Sequence, residues 1–288
     1  GDVYKRQIMG RVQSIDNAWD VYAMSTYNTI TSLAESKIDP NVLYAGTDDG
    51  IIQYTKNGGQ NWTKMTVDQL PKTPSSAFVN DIKTDLFNVS SAYVCLDNHK
   101  FGDYKPYLFK TTDGGKSWKS ITSGLPEKIL VWRLVQDHIN PNLLFLGTEY
   151  GVYVTLNQGE KWHKFSNGLP TIPVRDLTIQ RRENDLVLAT FGRSFYVLDD
   201  FSPLRSFSEE KLNKDVLFEP RKALQYTPMI GGTSSDGGAS FKRKNPEYGA
   251  TISYFIKDGF KSLAAQRTKK ENAAGLSDDC LLYTSPSP

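Results

Sequence analysis

Residues Thr111–Trp118 read TTDGGKSW and follow the apolar run Tyr107–Lys110, YLFK. The skeleton of this stretch, Thr-x-Asn/Asp-x-Gly-x-x-Trp, is carried by Thr111, Asp113, Gly115 and Trp118, and it occurs twice more. Thr55, Asn57, Gly59 and Trp62 form an earlier copy; Thr155, Asn157, Gly159 and Trp162 form a later one. Three matches to a four-point pattern identify an internal repeat, which decides the architecture before any single element does. The chemistry of the pattern is that of a turn. The Asp or Asn side chain bonds nearby backbone N–H groups and the glycine accepts positive φ. The tryptophan plugs the fold where the next strand begins.

Working outward, each copy sits in a unit of four short β-rich runs. The first unit has Thr29–Ser36, Val42–Ala45, Ile51–Tyr54 and Trp62–Met65, with turns at Asp39-Pro40-Asn41 and Gly46–Gly50. The third repeats it with Asn140-Pro141-Asn142, Leu143–Leu146 and Gly147–Gly151. The middle unit has Val79–Asp85, Ala92–Leu96 and Tyr107–Lys110, with a long excursion over Asp97–Pro106. A fourth unit, Val174–Gln180, Leu186–Thr190 and Ser194–Leu198, has Asp199-Asp200 in place of the box. Units of this size suit the blades of a propeller. The expected fold is all-β, a partial β-propeller of four-stranded antiparallel blades. Its core is expected to hold Leu43, Tyr44, Val94, Leu108, Phe109, Leu144, Phe145, Val152, Val187, Leu188, Tyr196 and Val197. The three box tryptophans are expected at equivalent places.

The ends read differently. Asp2–Gln7 (DVYKRQ) and Cys280–Ser285 (CLLYTS) can be encoded by one DNA sequence read on its two strands, which resembles a sequencing-library adapter. Residues 1–7 and 280–288 are therefore set aside as artefacts. Residues 8–205 are read as the C-terminal blades of a propeller whose other blades are missing, 206–245 as a linker with a Gly/Ser-rich stretch at Gly231–Ser240, and 246–279 as the start of a truncated β-sandwich entered through ATISYFIK, Ala250–Lys257. Leu263–Asn272 reads as a loop or a frayed helix.

Composition narrows the function. The chain has 34 basic and 32 acidic residues; without Lys5, Arg6 and Asp2 the balance is 32 to 31. Near-neutrality points away from nucleic acid and anionic membrane surfaces. No apolar run is long enough for a transmembrane helix, so no membrane insertion is expected. Cys95 alone remains after trimming, and His99, His138 and His163 are scattered; no metal and no cofactor are expected.

Strand parity places candidate site residues. In an antiparallel blade the turns alternate between two faces. The boxes share the back with the first turns of each blade. The turns between second and third strands share the front, which carries Asp48 and Asp49, the Asp97–Pro106 excursion with His99, Lys100 and Asp103, then Glu149, Tyr150 and Arg193. Arg133 and Arg175 open first strands on the same side. Asp49 and Glu149 occupy matching positions on alternate blades. They read either as an acid and base flanking a groove or as ordinary turn formers. His99 with Asp103 reads either as an acid–base pair or as a loop anchor.

The box resembles the Asp box, or BNR repeat, of sialidases, sortilin-type receptors and related β-propellers. Ala45–Gly50 (AGTDDG), His99–Tyr107 (HKFGDYKPY), Leu146–Gly151 and Leu186–Asp200 (LVLATFGRSFYVLDD) extend the likeness to large bacterial Asp-box proteins labelled sortilin-like or glycosyl-hydrolase-like. Phe191 stands where that family often has His, and Ser194 where it often has Gly. The resemblance implies a secreted, cell-surface or periplasmic protein. It implies either a binding or scaffold module recognising a protein, peptide or glycan, or a glycoside hydrolase, sialidase-like or xyloglucan-active, working through front-face carboxylates. In that family the box is structural.

Overall fold

In the computed structural model the described residues run unbroken from 29 to 208; beside them stand the pairs 7–8 and 11–12 and most of 211–227 and 249–273. Two short strands, β1 (Gln7–Ile8) and β2 (Arg11–Val12), pair antiparallel. Blade one is β3 (Ile30–Glu35), β4 (Leu43–Thr47), β5 (Ile51–Thr55) and β6 (Thr63–Thr66), paired in that order. Blade two is β7 (Phe78–Thr84), β8 (Ala92–Asn98), β9 (Asp103–Thr111) and β10 (Lys119–Ser120). Blade three is β11 (Val131–Gln136), β12 (Leu144–Thr148), β13 (Gly151–Thr155) and β14 (His163–Phe165). A last sheet has three strands, β15 (Val174–Gln180), β16 (Asp185–Thr190) and β17 (Phe195–Leu198). The fold is all-β, a partial β-propeller.

The three repeat turns are superimposable in their bonding. Thr111 Oγ1 donates to Asp113 Oδ1 (2.9 Å) and accepts from the Gly115 N–H (3.0 Å), while Asp113 Oδ1 accepts from the Ser117 N–H (2.9 Å). Thr55 and Asn57 do the same with Gly59 and Asn61, as do Thr155 and Asn157 with Gly159 and Lys161. The tip of each turn then reaches the turn between the blade's first two strands. The N–H groups of Gly58, Gly114 and Gln158 donate to the carbonyls of Asn41, Ser90 and Asn142. Both turns therefore lie at one edge of each blade, the back, as strand parity requires.

The seams between blades are apolar. One cluster joins Tyr44, Ile52 and Met65 of blade one to Val79, Val94, Phe109 and Trp118 of blade two. A second joins blades two and three around Leu108, Leu144 and Trp162, and a third joins blade three to the last sheet around Phe145, Leu177 and Leu188. Trp162 is buried and its indole N–H donates to the Ile121 carbonyl (2.7 Å) of the preceding blade; Trp118 is buried against blade one. Trp62, at the corresponding place, is 41 % exposed. Its side of blade one faces no blade among the described residues. The same reason corrects the expected core. Val197 is 43 % exposed, and Leu43, Val187 and Tyr196 are half-buried, because blade one and the last sheet each have one uncovered side; the other expected core residues are buried.

The chain divides between Ser206 and Phe207 into two compact units. The second holds β18 (Val216–Leu217) paired with β19 (Tyr254–Phe255) and a helix α1 (Leu263–Ala273) with no buried residue. The expected strand Ala250–Lys257 is thus two paired residues long, and β18 falls inside the stretch read as linker. Phe207 packs edge-on to Phe255, with ring centroids 5.1 Å apart. Gly231–Ser240 and the adapter-like residues 1–6 and 280–288 lie outside the described residues.

Candidate functional site

The first strand of each of the four blade sheets carries a bulge at the same place. Pairing of β3 with β4 slips between Ile30 and Ser32, of β7 with β8 between Val79 and Asp81, of β11 with β12 between Val131 and Arg133, and of β15 with β16 between Val174 and Asp176. The extra residues are Thr31, Asn80, Trp132 and Arg175. A bulge re-aims the side chain it inserts, and all four line one front cavity of about 470 Å3. Phe78, Asp97, His99, Lys100 and Arg133 complete its walls.

Backbone bonds tie this row to the front turns. The N–H groups of Asp48, Glu149 and Phe191 donate to the carbonyls of Thr29, Leu130 and Pro173, just before the bulges. Polar side chains then lock one first strand to the next. Thr31 Oγ1 donates to the Val79 carbonyl (2.6 Å), and Asn80 Nδ2 donates to the Val131 carbonyl (2.9 Å). One residue further on, Ser32 Oγ accepts from the Ile82 N–H (2.8 Å) and Asp81 Oδ2 from the Leu134 N–H (3.2 Å). Burial pushes the Asp81 carboxyl pKa up, against the pull of Lys83 and Arg133. Arg133 also donates to the Asn80 carbonyl (2.6 Å), so its guanidinium is committed to the seam.

At the third bulge the pattern changes from amide and hydroxyl to an aromatic ring. Trp132 is buried, its indole N–H donates to Glu149 Oε2 (3.1 Å), and the Arg175 guanidinium carbon lies 3.7 Å from its ring centroid. His99 meets the same ring edge-on, with centroids 6.0 Å apart, and its Nδ1 is hydrogen-bonded to the buried Asp97 carboxylate. Lys100 places its ammonium 5.2 Å from the Phe78 ring centroid. Cations thus cover the two aromatic faces of the groove, an arrangement favoured by the ring quadrupole. Among the described residues neither Lys100 nor Arg175 has a carboxylate partner.

The expected site residues therefore separate. His99 and Lys100 reach the groove. Glu149 touches it only through Trp132. Asp49 accepts from the Thr47 hydroxyl within its own turn, and Asp48 accepts from the Thr29 N–H (2.8 Å). Tyr150 and Arg193 are exposed and lie outside the cavity wall. Asp103 is not the partner of His99. It accepts from the Tyr107 hydroxyl (2.6 Å) and the Lys105 N–H (3.2 Å), bonds that hold its pKa low in spite of partial burial. The physical reason is that the excursion is not a loop. β8 and β9 continue pairing to Asn98 and Asp103, and only the short 3-10 turn His99–Phe101, closed by Gly102 at φ 75°, protrudes. This puts Asp97 and His99 two residues apart at the strand end. Among the described residues no group of three or more His, Cys, Asp or Glu side chains is placed to hold a metal ion.

Thr31, Asn80 and Trp132 were not singled out in the sequence. Aligning the repeat units by their boxes does not find them: Thr31, Asn80 and Trp132 precede Thr55, Thr111 and Thr155 by 24, 31 and 23 residues, and the unit of Arg175 has no box.

No protein-family model and no curated protein matches the chain. Solved structures similar to it are β-propellers. YCF48 bound to D1 peptide aligns at 20 % identity and a TM-score of 0.43, over 60 % of this chain and 52 % of that one. A GH74 enzyme of Niastella koreensis aligns at 13 % identity and 0.44, over 56 % of this chain and 26 % of that one. The Cps50 (Swd1) β-propeller domain of Myceliophteria thermophila aligns at 14 % identity and 0.45, over 62 % and 54 %. The chain spans about half of the YCF48 chain and about a quarter of the GH74 enzyme.

Proposed function

We propose that this chain is part of a secreted or cell-surface binding module of the Asp-box, sortilin-like kind, whose front groove recognises a protein or peptide. The observation that carries the reading is that neither of the two carboxylates expected to do catalysis lines the groove, whereas the cations Lys100 and Arg175 do. The two carboxylates expected to act as acid and base, Asp49 and Glu149, each hold a neighbouring group, one the Thr47 hydroxyl and the other the Trp132 indole. Lys100 and Arg175 remain on the groove wall. A glycan reading is supported less well, because sugar rings stack on open aromatic faces and here those of Trp132 and Phe78 are covered by cations. Propellers host many functions, so the fold alone decides nothing between them.

In this reading residues 8–205 are propeller blades completed by further blades of the intact protein, the three boxes are structural, and neither nucleic acid nor a cofactor is required. The test is a parallel screen of the intact protein for peptide binding and for hydrolysis of xyloglucan, sialosides and other polysaccharides. Binding without turnover is expected. Turnover that is abolished by Asp49→Asn or Glu149→Gln would establish the glycosidase reading instead.

A further inference from the structure

Resting on that reading, we infer that the bulge row is the specificity element of the groove and that it takes an acidic peptide, gripped at carboxylates by Lys100 and Arg175. Each blade contributes one extra side chain at one register position, Thr31, Asn80, Trp132 and Arg175. Thr31 and Asn80 are consumed in bonding the next blade. Trp132 is buried and serves as the bed on which Arg175 lies. Arg175 itself is exposed, its guanidinium carbon lies 3.7 Å from the Trp132 ring centroid and 5.7 Å from that of Phe191, and it has no carboxylate partner among the described residues. A free guanidinium can grip a planar carboxylate in two-pronged fashion.

The charges on the cavity wall give the sign of the ligand. Asp97 is the one carboxylate on the wall and is hydrogen-bonded to His99; Arg133 is bonded to Asp81. Lys100, from blade two, and Arg175, from the last sheet, have no carboxylate partner among the described residues and leave the wall with more positive than negative charge. A ligand with two or more carboxylates spaced along an extended chain matches that pair. On the cavity wall itself the Trp132 and Phe78 rings are covered by cations, which favours a peptide over an acidic polysaccharide; Phe191, 68 % exposed and near Arg175, lies outside that wall.

The experiment titrates the intact protein with a fluorescein-labelled oligoglutamate peptide. Oligoglutamine of the same length and oligogalacturonate serve as comparators. Oligoglutamate is expected to bind and to weaken steeply with salt. Lys100→Gln and Arg175→Gln are each expected to raise its Kd roughly tenfold, the loss of one charge-assisted contact. Arg175→Lys should recover only part, because an ammonium keeps the charge and loses the fork. Lys100 is exposed, so its variant keeps the test valid even where an Arg175 change disturbs Trp132. Failure of oligoglutamate to bind, equal binding of oligoglutamine, tighter binding of oligogalacturonate, or indifference to both substitutions overturns the inference. Oligoglutamine binding would do so while leaving a peptide-binding module standing. Cleavage of oligogalacturonate would remove that module reading itself.

Discussion

The guanidinium carbon of Arg175 lies 3.7 Å from the centroid of the Trp132 ring, and the two residues are the bulge positions of adjacent first strands. The contact joins blade three to the last sheet on the front, where the other two seams use a threonine and an asparagine. Replacing Arg175 with Gln should uncover the ring. Cation–ring contacts of this kind contribute about 0.5–2 kcal/mol, so a loss of that order in chemical denaturation is expected, with a red-shifted tryptophan emission. The same emission shift should be absent in Lys100→Gln.

The box tryptophans give a graded prediction. Trp118→Ala and Trp162→Ala should each cost about 3–5 kcal/mol, the range for removing a buried large ring. Trp62→Ala should cost clearly less in this chain, because 41 % of that residue is exposed. Equal losses at all three sites, measured by urea unfolding, would show that the seams do not bury the rings as described.

Gly124 and Gly115 test how closely the blades approach. A Cβ at Gly124 would stand 2.3 Å from the carbonyl oxygen of Trp162, and φ there is +86°. Gly124→Ala should therefore destabilise by about 1–3 kcal/mol from backbone strain alone, with the steric clash added. At Gly115, φ +88°, the Cβ would meet the Tyr54 ring at 3.1 Å, a contact a side chain can relieve more readily than a backbone can. Thermal unfolding should rank Gly124→Ala as the more damaging.

Asp113 predicts a pH dependence. Bonds from the Ser117 hydroxyl and N–H, with others from Thr111 and Lys116, hold its carboxyl pKa well below the usual carboxylate range. The folded pKa is depressed, so the contribution is present above the unfolded value of about 3.9 and is lost as the pH falls through the folded one. Blades one and three place Asn57 and Asn157 at the same point, bonding the same backbone groups. Asp113→Asn should therefore be nearly neutral at pH 7 while flattening the acid limb of a stability–pH profile. An acid limb as steep as that of the parent would contradict the bonding described.

Asp137 is fully buried and takes two bonds from Arg205, at 2.7 and 2.8 Å. Arg205 also donates to Asn184 (2.8 Å), so one side chain ties blade three to the last sheet at the back. Arg205→Leu leaves a buried carboxylate unpaired and should cost about 3–5 kcal/mol. The double variant Asp137→Leu, Arg205→Leu should recover part of that in calorimetry.

The repeat made the blades legible in advance because the box couples a sequence pattern to a bonding pattern: Thr111, Asp113 and Gly115 can satisfy one another only in that turn. Parity then carried the faces, since alternation in an antiparallel sheet needs no side-chain detail. The groove was half legible. His99 and Lys100 are found where a turn differs from its counterparts, but the pairing of His99 with Asp97 depends on β8 and β9 continuing past Leu96, which no local propensity announces. Trp132 looked like one more apolar strand residue. Its place in the groove comes from a bulge, and a bulge is settled by the pairing of two strands rather than by either alone. Val197 misled for the opposite reason: its alternation is correct, and what is absent from the described residues is a surface to cover it.

The most direct measurement of where ligand sits is hydrogen–deuterium exchange on the intact protein with and without the oligoglutamate peptide. A front-groove binding module predicts protection in the segments around Asp97–Phe101, Leu130–Leu134 and Pro173–Asp176, with the box turns at 56–61, 112–117 and 156–161 unchanged. Protection confined to the box turns, with the bulge segments exchanging as in the free protein, would contradict it.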